Sequence, residues 1–276
     1  MKRNSRNYLV TTTILALSVM SGHAFAADVD DFSILTDLEI LGFDHDGSRA
    51  KEPGGFSLST NVDYATGKYG GSQTTDTLQI PLIGKYVAGP WTFKLAVPYI
   101  RITDSATAST PSSTESGLGD VVTSATYALY KSKGADPLLI DVAAKIKFGT
   151  ASRDKGLGTG ENDYALQGAI EKTLGKFTAS ATVGYRVNGD PPGIEMRNVF
   201  YGSLSGSYDF TAQTSAGLAL DQRQRASPTG ALHRKLTASI SHKITKNWKA
   251  QAYAVKGFAN GSADWGGGAT VTYGFK

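Results

Sequence analysis

The chain has 276 residues, with 28 lysines and arginines against 24 aspartates and glutamates, and it contains no cysteine. The absence of cysteine excludes a disulfide framework, a lipoprotein anchor, thiol catalysis and cysteine-ligated metals. The chain begins with the cations Lys2, Arg3 and Arg6, continues with a largely apolar run over residues 8–20 and then reaches Ala24-Phe25-Ala26. This pattern is typical of a secretory signal peptide over residues 1–26, cleaved near Ala26, and the alternative is an uncleaved anchor. Cleavage would leave 25 cations against 24 acids, so no basic surface for nucleic acid is expected.

Residues 27–53 follow the expected cleavage site and show no regular alternation. Their apolar residues, among them Phe32, Leu35 and Leu38, fit either a short helix or an irregular extended piece. We therefore predict that this segment lies outside the main fold, as a periplasmic lead or as a plug in the lumen.

From Gly54 onward, apolar and polar residues alternate with a period of two, the pattern of β-strands with one apolar face. Pro137 to Gly189 shows this most clearly, because Leu138, Ile140 and Val142 alternate with residues such as Asp141 and Lys145. A long polar loop is expected at residues 104–116, before the fourth strand. The pattern predicts twelve strands, at residues 56–64, 78–86, 91–99, 121–129, 138–148, 164–170, 177–187, 200–208, 214–220, 236–240, 248–254 and 269–275.

The length of these strands favours a membrane protein. A strand of a globular protein typically has about five or six residues, whereas a tilted strand that crosses a bilayer needs about 9 to 11. Aromatic residues end the apolar faces, as Phe148, Tyr164, Phe177 and Tyr185 do, and such rings form girdles where lipid meets water. A soluble β-sandwich could also place charges on one face of each strand.

The predicted connections alternate between long and short around the whole chain, and the strand count is even. Both features are typical of bacterial outer-membrane barrels, which have short periplasmic turns and longer external loops. We therefore predict an all-β fold: a transmembrane antiparallel up-and-down β-barrel of about 12 strands over residues 54–276, in the outer membrane of a Gram-negative bacterium.

In such a barrel, the charged face of each strand would line the lumen. These charges could form a selective constriction, or could only hydrate and brace the wall. The predicted pore-lining residues are Asp63, Lys94, Asp141, Lys145, Lys147, Asp163, Glu171, Arg186, Lys235 and Lys243.

Several short motifs resemble a known family when they are taken in chain order. They are Val97-Pro98-Tyr99, Gly117-Leu118-Gly119-Asp120, Lys147-Phe148-Gly149-Thr150, and the glycine-rich run 156–160 that leads into Glu161-Asn162-Asp163-Tyr164. Together they resemble the outer-membrane transporter family named for the meta-cleavage pathway of phenol degradation. The resemblance spans roughly residues 54–275 and implies a barrel that takes up small molecules, often aromatic or hydrophobic.

The predicted function is thus passive uptake of small molecules through an outer-membrane channel or transporter. The alternatives are a structural barrel without transport, or a barrel enzyme that acts on lipids. A serine hydrolase needs a histidine base beside the serine; Ser241 and His242 are adjacent and would face opposite sides, whereas Ser239 and His233 lie too far apart along one strand. We expect no enzyme activity, cofactor or metal, and as partners the outer-membrane lipids, the barrel assembly machinery and a small-molecule solute. The oligomeric state stays open.

Overall fold

The structure is a computed structural model that describes residues 55–107 and 111–275. The expected signal peptide at 1–26 and the expected segment at 27–53 lie outside these residues. None of the described residues forms a helix that could span a membrane. The strands are β1 Phe56–Gly67, β2 Thr75–Ala88, β3 Trp91–Asp104, β4 Ser113–Leu118, β5 Val121–Lys131, β6 Leu138–Phe148, β7 Asp163–Leu174, β8 Phe177–Val187, β9 Val199–Asp209, β10 Thr214–Arg223, β11 His233–Lys243, β12 Trp248–Gly257 and β13 Trp265–Gly274.

These strands form one closed antiparallel sheet. Strands that follow each other in the chain are paired, except β4 and β5, and β1 closes the barrel by pairing with both β2 and β13. β4 and β5 both pair with β3, at different parts of its length, and together they occupy one position in the wall. The structure is therefore a 12-strand antiparallel up-and-down barrel, which confirms the predicted fold class. Closure leaves no strand edge along most of the wall, as a membrane-spanning sheet requires.

The prediction of a long polar loop at residues 104–116 is partly wrong. β3 continues to Asp104, and β4 pairs with its last six residues, Tyr99 to Asp104. The wall strand is interrupted at Gly119, where an added Cβ would lie 2.4 Å from Ile100 Cδ1. The sequence did not predict β4, because the polar residues 113–116 are of types common in loops. These residues form a strand because β3 supplies their hydrogen-bond partners.

The outer surface of the barrel is apolar and ends in aromatic side chains. Leu166 and Leu204, near the middle of their strands, are each 62% exposed, which is expected only for a surface covered by lipid. At one end, Trp91 contacts Tyr127 with ring centroids 4.8 Å apart, and Trp248 contacts Tyr273 at 4.9 Å. The four aromatic residues that predicted a girdle are all exposed there or at the opposite end: Phe148, Tyr164, Phe177 and Tyr185.

The two ends of the barrel differ in their connections, as the sequence predicted. The short-turn end carries connections 89–90, 132–137, 175–176, 210–213 and 244–247, and the long-loop end carries 68–74, 105–112, 149–162, 188–198, 224–232 and 258–264. Gly89 and Gly175 begin the two shortest turns with φ of 59° and 60°. These left-handed conformations favour glycine and match the twist of a two-residue hairpin.

Candidate functional site: the barrel interior

The ten predicted pore-lining residues all lie on the strand face opposite the exposed apolar side chains. Five are almost fully buried, namely Lys94, Lys145, Lys147, Asp163 and Arg186, and Lys145 is only 1% exposed. The other five are partly buried: Asp63, Asp141, Glu171, Lys235 and Lys243. Since the alternation is regular in every strand concerned, the inward face carries these side chains. That they line a conducting passage stays a prediction.

The interior contains one tightly built ionic group near the long-loop end, which we call the Lys147 cluster: Asp120, Lys147, Thr159 and Asp163. Lys147 Nζ lies 2.9 Å from Asp120 Oδ2 and 3.2 Å from Asp163 Oδ2, and it donates a hydrogen bond to Thr159 Oγ1 at 3.2 Å. Register explains the pairing of Lys147 with Asp163, which are directly opposite on β6 and β7. An ammonium group between two carboxylates at low exposure is held by charge-assisted hydrogen bonds.

The same cluster anchors two connections at the long-loop end. Asp120 Oδ1 accepts a hydrogen bond from the Ala151 amide at 2.8 Å, which holds the 149–162 connection. Asp163 Oδ1 accepts from the Gly189 amide at 3.0 Å, which holds the 188–198 connection. Each carboxylate thus uses one oxygen for Lys147 and the other for a loop amide, so the loops are fixed to the barrel wall.

The glycine-rich connection 149–162 packs against the barrel wall. Leu157 is 2% exposed and packs with Ile100 and Ala151, while Thr159 is also buried. Lys155 Nζ further donates to the Ser116 carbonyl oxygen of β4 at 3.3 Å. This connection therefore packs against β3 and β4, on the side where β4 has no strand beside it, because β6 ends at Phe148 and pairs with β5 and β7 but not with β4. Leu157 was the residue in this glycine-rich segment that could have predicted its packing against the barrel, because it is the apolar side chain that becomes buried.

A second polar network crosses the closure of the barrel between β1, β12 and β13. Tyr253 Oη accepts from Asn61 Nδ2 at 2.8 Å and donates to the Asp63 carboxylate, and Thr270 Oγ1 donates to Asn61 Oδ1 at 3.1 Å. Gly268 makes room for the phenol ring, because an added Cβ would lie 2.5 Å from Tyr253 Oη. Asp63 is therefore held by hydrogen bonds within the wall.

The predicted set of site residues left out further charged residues of the interior, Asp120, Lys85 and Arg223 among them. Asp120 belongs to one of the family motifs, but the sequence does not show its role, because that role depends on a contact with Lys147, which is 27 positions away in the chain. Lys85 and Arg223 lie on the inward face of β2 and β10. Lys85 already lies within the predicted strand 78–86, in phase with Ile83 and Gln79, and extending the predicted strand 214–220 by three residues would have included Arg223.

The serine and histidine candidates for hydrolysis lie as their spacing required. Ser241 is buried on the inward face and shares a hydrogen bond of 2.8 Å with Ser215 Oγ, whereas the neighbouring His242 is exposed and contacts Thr214 Oγ1 at 2.9 Å. His233 faces inward at the end of β11, six positions from Ser239. Neither serine has a histidine base beside it among these pairs.

Tyr69, in the connection 68–74, carries a perturbed phenol outside the strands. Burial raises the pKa of Tyr69, and the carboxylate of Asp63 raises that pKa further. The hydroxyl therefore stays protonated, as a hydrogen-bond donor, throughout the physiological pH range.

Comparison with known proteins agrees with this architecture. A family model described as "Putative MetA-pathway of phenol degradation" matches residues 46–275. A COG4313 outer membrane channel from Pseudomonas putida F1 is similar in structure, with a TM-score of 0.70 at 17% identity over 81% of this chain and 96% of that one. The translocator domain of the autotransporter NalP from Neisseria meningitidis gives 0.51 at 12% identity, over 91% and 99%. The KdgM porin gives 0.50 at 12% identity, over 80% and 99%. No curated protein matches the sequence.

Proposed function

The chain belongs to the family described by that phenol-degradation model, and from this premise we propose that it is a passive outer-membrane channel for small molecules, aromatic or hydrophobic compounds among them. One observation carries the proposal: the barrel is apolar outside and charged inside. Such a barrel is stable only in a bilayer, and its polar interior is a path for solutes rather than a packed core.

The strand number supports a narrow passage. Barrels of about eight strands are filled by their own side chains, whereas barrels of about sixteen or more enclose a wide aqueous channel. Twelve strands lie between these limits, and the burial of Lys94, Lys145 and Arg186 is consistent with an interior crowded by side chains. A channel of this width would exclude large solutes by size and would bring small ones close to the wall.

The location follows from the same reasoning. Residues 1–26 would direct export and be removed near Ala26, and the barrel assembly machinery would insert the chain into the outer membrane. The short-turn end would then face the periplasm and the long-loop end the exterior, as in other outer-membrane barrels. Residues 27–53 would lie on the periplasmic side or within the lumen.

The experiment is reconstitution of the purified chain in planar bilayers and in liposomes. Discrete conductance steps, together with liposome swelling in small sugars, organic acids or aromatic compounds, are the expected result. A correctly folded barrel that gives neither conductance nor swelling would contradict the channel. Hydrolysis of bilayer phospholipids under the same conditions would instead support the lipid-modifying alternative.

A further inference from the structure

The outward face of four neighbouring strands changes its chemistry toward the long-loop end. Over the middle of β10 to β13 the outward side chains are small or aliphatic, and near the long-loop end they become polar, charged or aromatic. The residues at this change are Gln222, Arg234, Lys256 and Trp265, one on each strand. Gln222 is opposite Arg234, and Lys256 is opposite Trp265. We call these four residues the Arg234 group.

The Arg234 group lies at the level where lipid head groups meet the barrel. On β12 the outward face runs from Trp248, in the aromatic girdle of the short-turn end, to Lys256. These eight residue steps cover about 27 Å of strand, or about 21 Å of height at a tilt of about 40°. A hydrocarbon belt about 25 Å tall therefore ends near Lys256, and the long side chain of a lysine reaches from there to the head groups.

Both cations of the group are held by neutral partners. Arg234 Nε and Nη2 donate hydrogen bonds of 3.0 and 2.7 Å to Gln222 Oε1. Lys256 Nζ lies 4.2 Å from the centroid of the Trp265 ring, in a cation–π contact. No carboxylate among the described residues pairs with either cation. The two positive charges are therefore positioned without being neutralised.

The two cations are close enough to hold one anion. Arg234 is two residues from Leu236, which is opposite Lys256, and such diagonal neighbours are about 7 to 8 Å apart, within reach of long side chains. A guanidinium has five N–H donors, of which Gln222 takes two from Arg234. Arginine pairs with phosphate through two parallel hydrogen bonds. Two cations also match the charge of about −2 that a phosphate monoester carries.

The surface around the group is apolar and open to a ligand. Trp265 is 59% exposed, and Phe258, whose amide donates to the Arg234 carbonyl oxygen at 2.8 Å, is 58% exposed. Farther from the long loops, Leu218 and Ile240 are each more than half exposed on the same face. Cations beside exposed aromatic and aliphatic side chains are the combination that binds anionic lipids at an interface.

We propose that the Arg234 group binds the phosphate monoester of a membrane lipid, with the acyl chains of that lipid lying against the aliphatic outward face of β10 to β12. In the orientation proposed above, this lipid belongs to the outer leaflet. The site lies on the outside of the barrel, so the inference goes beyond the channel function and does not depend on it.

The test measures lipid binding to the purified full barrel, in nonionic detergent, by native mass spectrometry. Lipid A, whose phosphates are monoesters, is the probe, and phosphatidylglycerol, a phosphate diester, is the comparison lipid. Inorganic phosphate, added as its ammonium salt, is the competitor without acyl chains. We expect lipid A to bind about tenfold more tightly than phosphatidylglycerol, and we expect inorganic phosphate not to displace it.

Two variants separate charge from positioning. Arg234→Gln/Lys256→Gln should weaken lipid A binding by about tenfold, the effect of losing two exposed charge contacts. Gln222→Ala changes no charge but releases the guanidinium of Arg234 from its hydrogen bonds. It should weaken lipid A binding by about threefold, because the guanidinium is no longer held in place. Heat-modifiable gel mobility verifies that each variant folds.

The matched control is Lys68→Gln/Arg101→Gln, which removes the same charge from exposed positions at the same end of the barrel. Its affinity for lipid A should stay within about twofold of that of the parent protein, because distant surface charges are screened. Equal losses in the control and in Arg234→Gln/Lys256→Gln, equal binding of phosphatidylglycerol, or displacement by inorganic phosphate would overturn the inference. Conductance in planar bilayers is a separate readout: a barrel that binds lipid A as expected but does not conduct would support the site and contradict the channel.

Discussion

Replacing Lys147 by methionine would test whether the ionic cluster holds the long-loop end of the barrel together. The substitution keeps most of the side-chain volume and removes the ammonium group that bridges Asp120 Oδ2 at 2.9 Å and Asp163 Oδ2 at 3.2 Å. The Asp120 side chain is fully buried, and that of Asp163 is 9% exposed. Removing one member of a buried ion pair leaves an uncompensated charge and costs about 3 to 5 kcal/mol.

We expect a loss near the upper part of that range, because one ammonium group serves two carboxylates. Part of the loss is offset, since Asp120 keeps its bond from the Ala151 amide and Asp163 keeps that from the Gly189 amide. The measurement is reversible urea unfolding in lipid vesicles, followed by tryptophan fluorescence. The additional change Asp120→Asn should recover about 1 to 3 kcal/mol, because it removes one of the stranded charges.

The control for this experiment is Lys176→Met, in an exposed turn at the opposite end of the barrel, where a loss below about 0.5 kcal/mol is expected. The loop contacts supply a second readout, since proteases should cut the 149–162 connection faster in Lys147→Met than in the parent protein. A loss for Lys147→Met no larger than that of the control, or no recovery on adding Asp120→Asn, would refute the reasoning.

Three further substitutions test the faces and the packing. Val142→Arg, at the centre of the outward face of β6, should cost about 2 to 4 kcal/mol near the bilayer midplane, whereas Ser239→Arg, at a half-buried position on the inward face of β11, should cost clearly less; equal losses in urea unfolding would mean that the faces are misassigned. Gly184→Ala should cost about 1 to 3 kcal/mol by the same assay, because the new Cβ would lie 2.2 Å from Tyr201 Cζ, and a neutral result would contradict this crowding. Leu157→Ser should expose the connection 149–162 to limited proteolysis without changing heat-modifiable mobility, and unchanged cleavage would show that this leucine does not hold the loop.

Much of the fold could be predicted because its evidence is local. The alternation of Leu138, Ile140 and Val142 with Asp141 and Lys145 assigns faces within a single strand and needs no knowledge of its neighbours. The aromatic strand ends and the alternating connection lengths then predicted a barrel, its strand number and the inward position of ten charged residues. Residues 113–116 show no clear alternation of apolar and polar side chains, and the sequence therefore predicted a loop where the structure has β4.

The contacts of the interior depend on pairings that no local pattern contains. Lys147 meets Asp120 because β5 and β6 are paired with Val122 opposite Lys147, which brings β6 beside the break at Gly119. In the same way, Lys85, Lys94, Ser124 and Lys145 share one row only through three successive registers. A shift of two residues in any one of them would keep every side chain on its face and still break up the row.

The amino-acid sequence by itself therefore determined which side of each strand is apolar and which is charged, since that depends only on a two-residue repeat. The tertiary structure decided which charges meet, because closing the barrel sets the register of every strand against both neighbours at once. It also placed the connection 149–162 against β3 and β4, where Leu157 finds apolar contacts from residues more than fifty positions away. The physical reason is that faces follow from the geometry of one strand, whereas contacts follow from the pairing of all of them.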